Sequence, residues 1–149
     1  MTAGCPGCTG TEPWTASPGC AEQALVVAER EFGNPAYFAV HAITAAAYRV
    51  QHPATVTPYS VAVGLVVLEG AGSGLRGAAL EKRIRWAAPL LRARTPALDP
   101  PSGRWTLTID DVAAASTAEE HGAVVLRWAE EIAEGWASAR AAVTAVLTA

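Results

Sequence analysis

The chain has 149 residues, 51% of them hydrophobic and 17% charged, with a formal net charge of −3. That length suits one domain around one core, and the sparse, slightly acidic charge argues against nucleic acid or an anionic membrane as the main partner. The longest apolar run, residues 61–68, is too short to span a bilayer, and the first residues carry neither a basic nor a hydrophobic stretch. The expectation is a cytoplasmic chain with reduced thiols.

Residues 1–19 are rich in Gly, Pro, Ser and Thr and show no periodicity, so alone they would not order. Residues 20–32 favour helix, with Leu25, Val26, Ala28 and Phe32 on a broad apolar face. Gly33-Asn34-Pro35 stops that helix and starts another over 35–51, which ends before Pro53. The very short link predicts an antiparallel hairpin.

Thr57-Pro58 opens a third helix to about residue 69 that is apolar on all sides, as a central helix is. A fourth follows over 75–91. Residues 95–104 hold three prolines and read as an extended loop, with Trp105-Thr106-Leu107 as a short strand-like segment. Thr108 caps a short helix over 109–115, with Asp110 and Asp111 in its first turn. Thr117-x-x-Glu120 is a capping box for a last helix running to the C-terminus, with Val125, Trp128, Ile132 and Trp136 at helical steps. The fold class expected is all-α: a compact bundle of about five helices over 20–149 with an irregular, metal-tethered tail over 1–19, together one domain.

All three cysteines lie in the first twenty residues. An odd cluster in a reducing compartment reads as a metal site rather than a disulfide. Cys5-Pro6-Gly7-Cys8 is a knuckle: two thiolates two residues apart can grip one tetrahedral ion, and Pro-Gly suits the turn. Cys20 stands at a helix start, where backbone N–H groups favour a thiolate. A fourth ligand comes from the histidines. In the hairpin, His52 at the end of the second helix falls beside Cys20, whereas His41 lies about 16 Å away along that helix. The expected ligands are therefore Cys5, Cys8, Cys20 and His52, with His41 the alternative, and the ion is structural zinc. A redox dithiol at Cys5 and Cys8 lacks the strand-to-helix setting of such enzymes, and free thiols in a disordered tail are the remaining reading.

His41, Ala45, Tyr48 and His52 share one helix face. His41 and Tyr48 are the candidate catalytic pair, as the wall of a polar pocket. The plainer reading makes them core groups hydrogen-bonded to neighbouring helices, since nothing acidic stands at helical spacing from His41. His121 reads as packing or solvent-facing, and Trp128 and Trp136 as core rather than a ligand cage.

Several segments together resemble an uncharacterised bacterial domain family, the domain of unknown function 5946. They are Cys5-Pro6-Gly7-Cys8, Ser17-Pro18-Gly19-Cys20 and His41-x-x-Thr44-x-x-Ala47-Tyr48-x-Val50-Gln51-His52-Pro53. Ser60-Val61-Ala62-Val63, Pro100-Pro101 and the helix bearing Trp128 and Trp136 also fit. The resemblance spans nearly the whole chain and implies a helical fold and a metal site, but no established activity. This chain departs from the family pattern where an acidic residue usually stands at Ala46, a histidine at Gly64 and a histidine pair at Ala139 and Arg140. Those groups would form a second polar or metal-binding centre, so the resemblance implies a member that kept the cysteine site and lost the other.

Three functions remain in view. The first is a zinc-stabilised domain that binds a small molecule or a protein partner. The second is an enzyme of specialised metabolism using a His41/Tyr48 pocket. The third is a zinc or thiol sensor that releases its tail on oxidation.

Overall fold

The computed structural model describes residues 4–149; the first three residues of the expected tail lie outside the described residues. It is all-α, with no strand among the described residues. The helices are α1 (Pro6–Thr9), α2 (Pro18–Gly33), α3 (Pro35–Phe38), α4 (His41–Gln51), α5 (Pro58–Gly72), α6 (Gly77–Ala93), α7 (Ile109–Ala113), α8 (Ala118–Gly135) and α9 (Ala137–Leu147), with a 3-10 turn at Pro53–Thr55. Nine described helices exceed the expected five because the short helix over 109–115 stands as one more, two predicted helices are each broken in two and the tail contributes one of its own.

Local chemistry sets the boundaries. Ser17 caps α2, its hydroxyl accepting from the Cys20 N–H at 3.1 Å, with Pro18 in the first turn. Asn34 ends α2 and caps α3 through the Ala36 N–H. Thr57 and Pro58 open α5 in the same way. Thr108 and Asp111 form a full capping box on α7. At α8, Thr117 accepts from the Glu120 N–H, but the Glu120 carboxylate reaches back to the Ser116 N–H, one residue short of a true box.

The core forms around α5. Val61, Ala62, Leu65, Val66, Val67 and Leu68 are all buried, and α4, α6, α8 and α9 pack around them. Such a helix has no polar face to give to water, so it can only be central. Gly64 lets α4 and α5 close up: a Cβ there would lie 2.7 Å from Val50 Cγ2. Its next neighbours belong to Ala46. Gly64 and Ala46 therefore face each other across this contact.

Four expectations need correction. Leu25, Val26 and Phe32, expected on the apolar face of the first helix, are exposed, and α2 turns Val27 and Glu31 inward instead. The helix expected over 35–51 breaks at Ala39 and Val40, where the cap φ/ψ of −110°/9° leaves the helical region without proline or glycine. The last helix bends at Trp136; α8 packs on α4 and α5, whereas α9 turns to reach α5 and α6. Trp105-Thr106-Leu107 is not a strand. Having no neighbouring strand, it gives the Thr106 N–H to the Glu131 carboxylate at 2.5 Å, and Trp105 packs where a Gly135 side chain would stand.

Candidate functional site

The sequence-predicted ligands converge. Cys5, Cys8, Cys20 and His52 each direct one ligand atom into a group whose members all lie within 4.8 Å of one another, and the group could hold a metal ion. His52 Nε2 stands 3.3 Å from each of the three sulfurs, and Cys8 Sγ stands 3.6 Å from Cys20 Sγ. A tetrahedral ion with sulfur at ~2.3 Å and nitrogen at ~2.05 Å has ligand–ligand edges of about 3.6–3.8 Å, close to these distances.

Each ligand is held by its own element. Cys5 and Cys8 flank the turn that becomes α1, and the Gly7 N–H bonds the Thr15 carbonyl at 2.8 Å, folding the tail back on itself. Cys20 sits in the first turn of α2. His52 is fully buried at the end of α4 and donates Nδ1–H to the Tyr48 carbonyl at 2.7 Å. That bond fixes the tautomer and aims the Nε2 lone pair at the sulfurs. The Ser17 N–H meets Cys5 Sγ at 3.3 Å. Gln51 stands 3.6 Å from Cys8 Sγ and is itself held by Trp128 Nε1–H and the Leu107 carbonyl. Position 7 must be glycine, because a Cβ there would sit 2.2 Å from His52 Cδ2. The knuckle lies directly on the imidazole.

The electrostatics are those of crowded thiols sharing protons. The hydrogen bond from Cys8, opposed by burial and helped by His52, pushes Cys20 down to about 4. Cys8 is pushed far up, first because its proton serves Cys20 and then by burial. The two act as one unit. Burial alone would lower His52, but its hydrogen bonds to Cys20 and to the Tyr48 carbonyl, and the neighbouring thiolates, raise it above its ordinary value. A cation replacing these shared protons would relieve that crowding. Above the sulfurs lies a cleft of about 810 Å³ walled by Thr9, Gln23, Arg104, Trp105, Thr108 and Asp110.

The candidate catalytic pair is divided between two places. Tyr48 packs its ring 4.3 Å from that of His52 and belongs with the cysteine site; burial, then Cys20, raise its phenol. His41 lies at the far end of α4, where it meets Glu31 of α2: His41 Nδ1 is 3.0 Å from Glu31 Oε1. Thr44 Oγ1–H donates to Glu31 Oε2 at 2.6 Å, and His121 Nε2 lies 2.9 Å from the same oxygen. Glu31 and His121 are fully buried. The expectation of nothing acidic near His41 held only along its own helix. The acid comes from α2, and the break at Ala39–Val40 lets His41 reach it. His121 is accordingly a buried network member rather than a surface group. Burial of Glu31 on a predicted helix was the missed signal, since nothing in a single sequence distinguishes it from an exposed glutamate.

No curated protein and no solved structure matches the chain. No described helix is long and apolar enough to cross a membrane. The model of DUF5946, a family of unknown function, matches residues 3–137. The chain belongs to that family.

Proposed function

We propose that the chain is a zinc-holding helical domain in which one ion, ligated by Cys5, Cys8, Cys20 and His52, ties the N-terminal segment to α2 and α4. The convergence of three sulfurs, each 3.3 Å from one locked imidazole nitrogen and all within 4.8 Å of one another, carries this reading. Soft thiolates with one imidazole in a near-tetrahedral group suit zinc. Four protein ligands leave no open coordination position, so the ion holds the structure and performs no chemistry.

The role built on that support is recognition of a small molecule or a protein partner, and the cleft over the sulfurs is the place for it. Its volume falls in the range of ligand sites, and Trp105, Arg104 and Asp110 offer an aromatic face and both charges. Elemental analysis of protein purified without chelator tests the metal reading. About one zinc per chain is expected from one four-ligand site; a metal-free, fully folded protein would overturn it.

A further inference from the structure

The second polar centre has a direction that its geometry imposes. Arg30 can only donate, and its Nη1 lies 3.5 Å from His121 Nδ1 while also serving the Val112 and Ala115 carbonyls; its Nη2 serves Ala113. His121 Nδ1 therefore accepts, its proton sits on Nε2, and that N–H donates to Glu31. Glu31 Oε2 thus accepts twice, from His121 and from Thr44. The remaining oxygen faces His41 Nδ1, and a glutamate carboxylate, which has only acceptors to offer, takes the Nδ1–H there. Both imidazole nitrogens facing Glu31 are spent on hydrogen bonds to a carboxylate, which makes this a proton relay and not a metal cage. Among the described residues the cysteine group is the only set with metal-ligand geometry.

Every inner member of the relay is satisfied. The open end is His41 Nε2, for which no protein partner stands within hydrogen-bond distance among the described residues. The His41 side chain is 25% exposed. Its ring is walled by Phe38, nearly parallel at 5.3 Å, and Phe32, tilted at 4.4 Å. Those two aromatics are themselves 47% and 68% exposed, an apolar lip around a polar edge. Beside His41 a groove of about 190 Å³ runs between α2 and α4, narrow-walled by Ala24, Ala28 and Ala45 and reaching Arg49. Three alanines leave room for a short alkyl chain, and Arg49 supplies a positive charge for an anionic tail.

We propose that His41 is a nucleophilic base for acyl transfer, with Glu31 as its positioning residue and the α2–α4 groove as the site for a small ester or thioester. The Nε2 lone pair attacks the carbonyl carbon, and the bond to the alkoxide or thiolate breaks, that group leaving with the electron pair. The Nδ1 proton stays on the Glu31 hydrogen bond, which stabilises the positive charge growing on the ring. Water then adds to the acyl-imidazolium, the carboxylic acid leaves, and the proton freed from that water ends on the departed alkoxide or thiolate, restoring neutral His41. The relay shares no residue with the metal ligands, so this assignment stands or falls apart from the zinc reading.

The test uses 4-nitrophenyl acetate as the acyl probe. The contribution of His41 is the rate of the parent minus that of His41→Ala, which cancels any acylation of the cysteines. That difference should exceed the rate of equimolar N-acetylhistidine by at least about 100-fold, the lower side of what an oriented base supplies. Glu31→Gln should bring it down to the N-acetylhistidine level in protein that circular dichroism shows to be folded. If Glu31→Gln does not fold, the His41→Ala difference decides alone. A parent no faster than N-acetylhistidine, or a rate equal in parent and His41→Ala, overturns the proposal. A difference kept in full by Glu31→Gln removes Glu31 from it.

Discussion

The two ends of the α2–α4 pair solve the same problem in opposite ways. Each end brings a residue of α2 against a histidine of α4: Cys20 against His52 at one end, Glu31 against His41 at the other. Both intervals are eleven residues, about 16 Å of helix, so the register of one contact sets the register of the other. At the cysteine end the polar atoms converge on a single point, where three sulfurs and one imidazole nitrogen crowd around shared protons, an arrangement that a cation completes. At the glutamate end every donor has an acceptor, two of them sharing Glu31 Oε2, so the centre is complete without any ion and leaves a single nitrogen facing outward. Convergence marks a binding point; a chain of paired donors and acceptors marks a relay.

The sharpest way to break the contrast is to remove one histidine from each end. His52→Ala should weaken zinc binding by more than about 100-fold, beyond the range of an outer-shell partner, whereas His41→Ala should leave it unchanged. Zinc release to a chromogenic chelator measures both. The reverse ranking would mean that the ligand set is wrong. Removal of Cys8 by Cys8→Ser should expose residues 1–19 to protease and lower the melting temperature while the helix content from α2 onward persists, because those helices carry their own apolar faces. A variant that melts with the parent and keeps its tail equally resistant would favour the redox-dithiol reading.

Glu31→Ala probes the other end. It strands the buried His121 N–H and should cost about 1–3 kcal/mol in denaturant unfolding, with zinc stoichiometry unchanged. A loss below about 1 kcal/mol would show that the relay is not the buried unit described above. Acid should separate the ends in the same sense. Zinc requires thiolates and a neutral imidazole, so protons compete with it. His52, whose affinity for a proton is raised in the metal-free group, is the ligand that takes one as the pH falls. Release should therefore rise with acidity, and an uptake of zinc on acidification would contradict the ligand assignment.

Two smaller changes refine the metal end. Gly7→Ala forces a methyl against the His52 ring and should cost about 1–3 kcal/mol, together with a measurable loss of zinc affinity in competition titration. Ser17→Ala removes the α2 cap and should cost about 1 kcal/mol in thermal melts. Retention of the metal by Ser17→Ala would show that the cap supports the helix rather than the ion.

These two ends also differ in how far the sequence reveals them. Cys5 and Cys8 announce themselves by spacing, Cys20 by its helix start, and His52 by hairpin arithmetic, because local rules cover each. Glu31, His41 and His121 come from three helices, with His121 ninety positions from Glu31, and no local pattern links them. The helical fold and the central place of α5 follow from apolar periodicity alone. The break at Ala39–Val40 does not, since no proline or glycine stands there and tertiary packing decides it; the bend at Trp136 follows Gly135, a single glycine that weakens a helix without stopping it. The first of those breaks is what delivers His41 to Glu31, so the hidden element of the fold and the hidden site have one cause.

Cobalt substitution tests the central claim most directly. Protein stripped of metal and loaded with Co²⁺ should show the intense visible absorption of a tetrahedral ion together with thiolate-to-metal charge transfer, at one equivalent per chain. The charge-transfer band should shrink in Cys8→Ser and stay intact in His41→Ala. A pale spectrum of six-coordinate cobalt, the same in the parent and in Cys8→Ser, would contradict it.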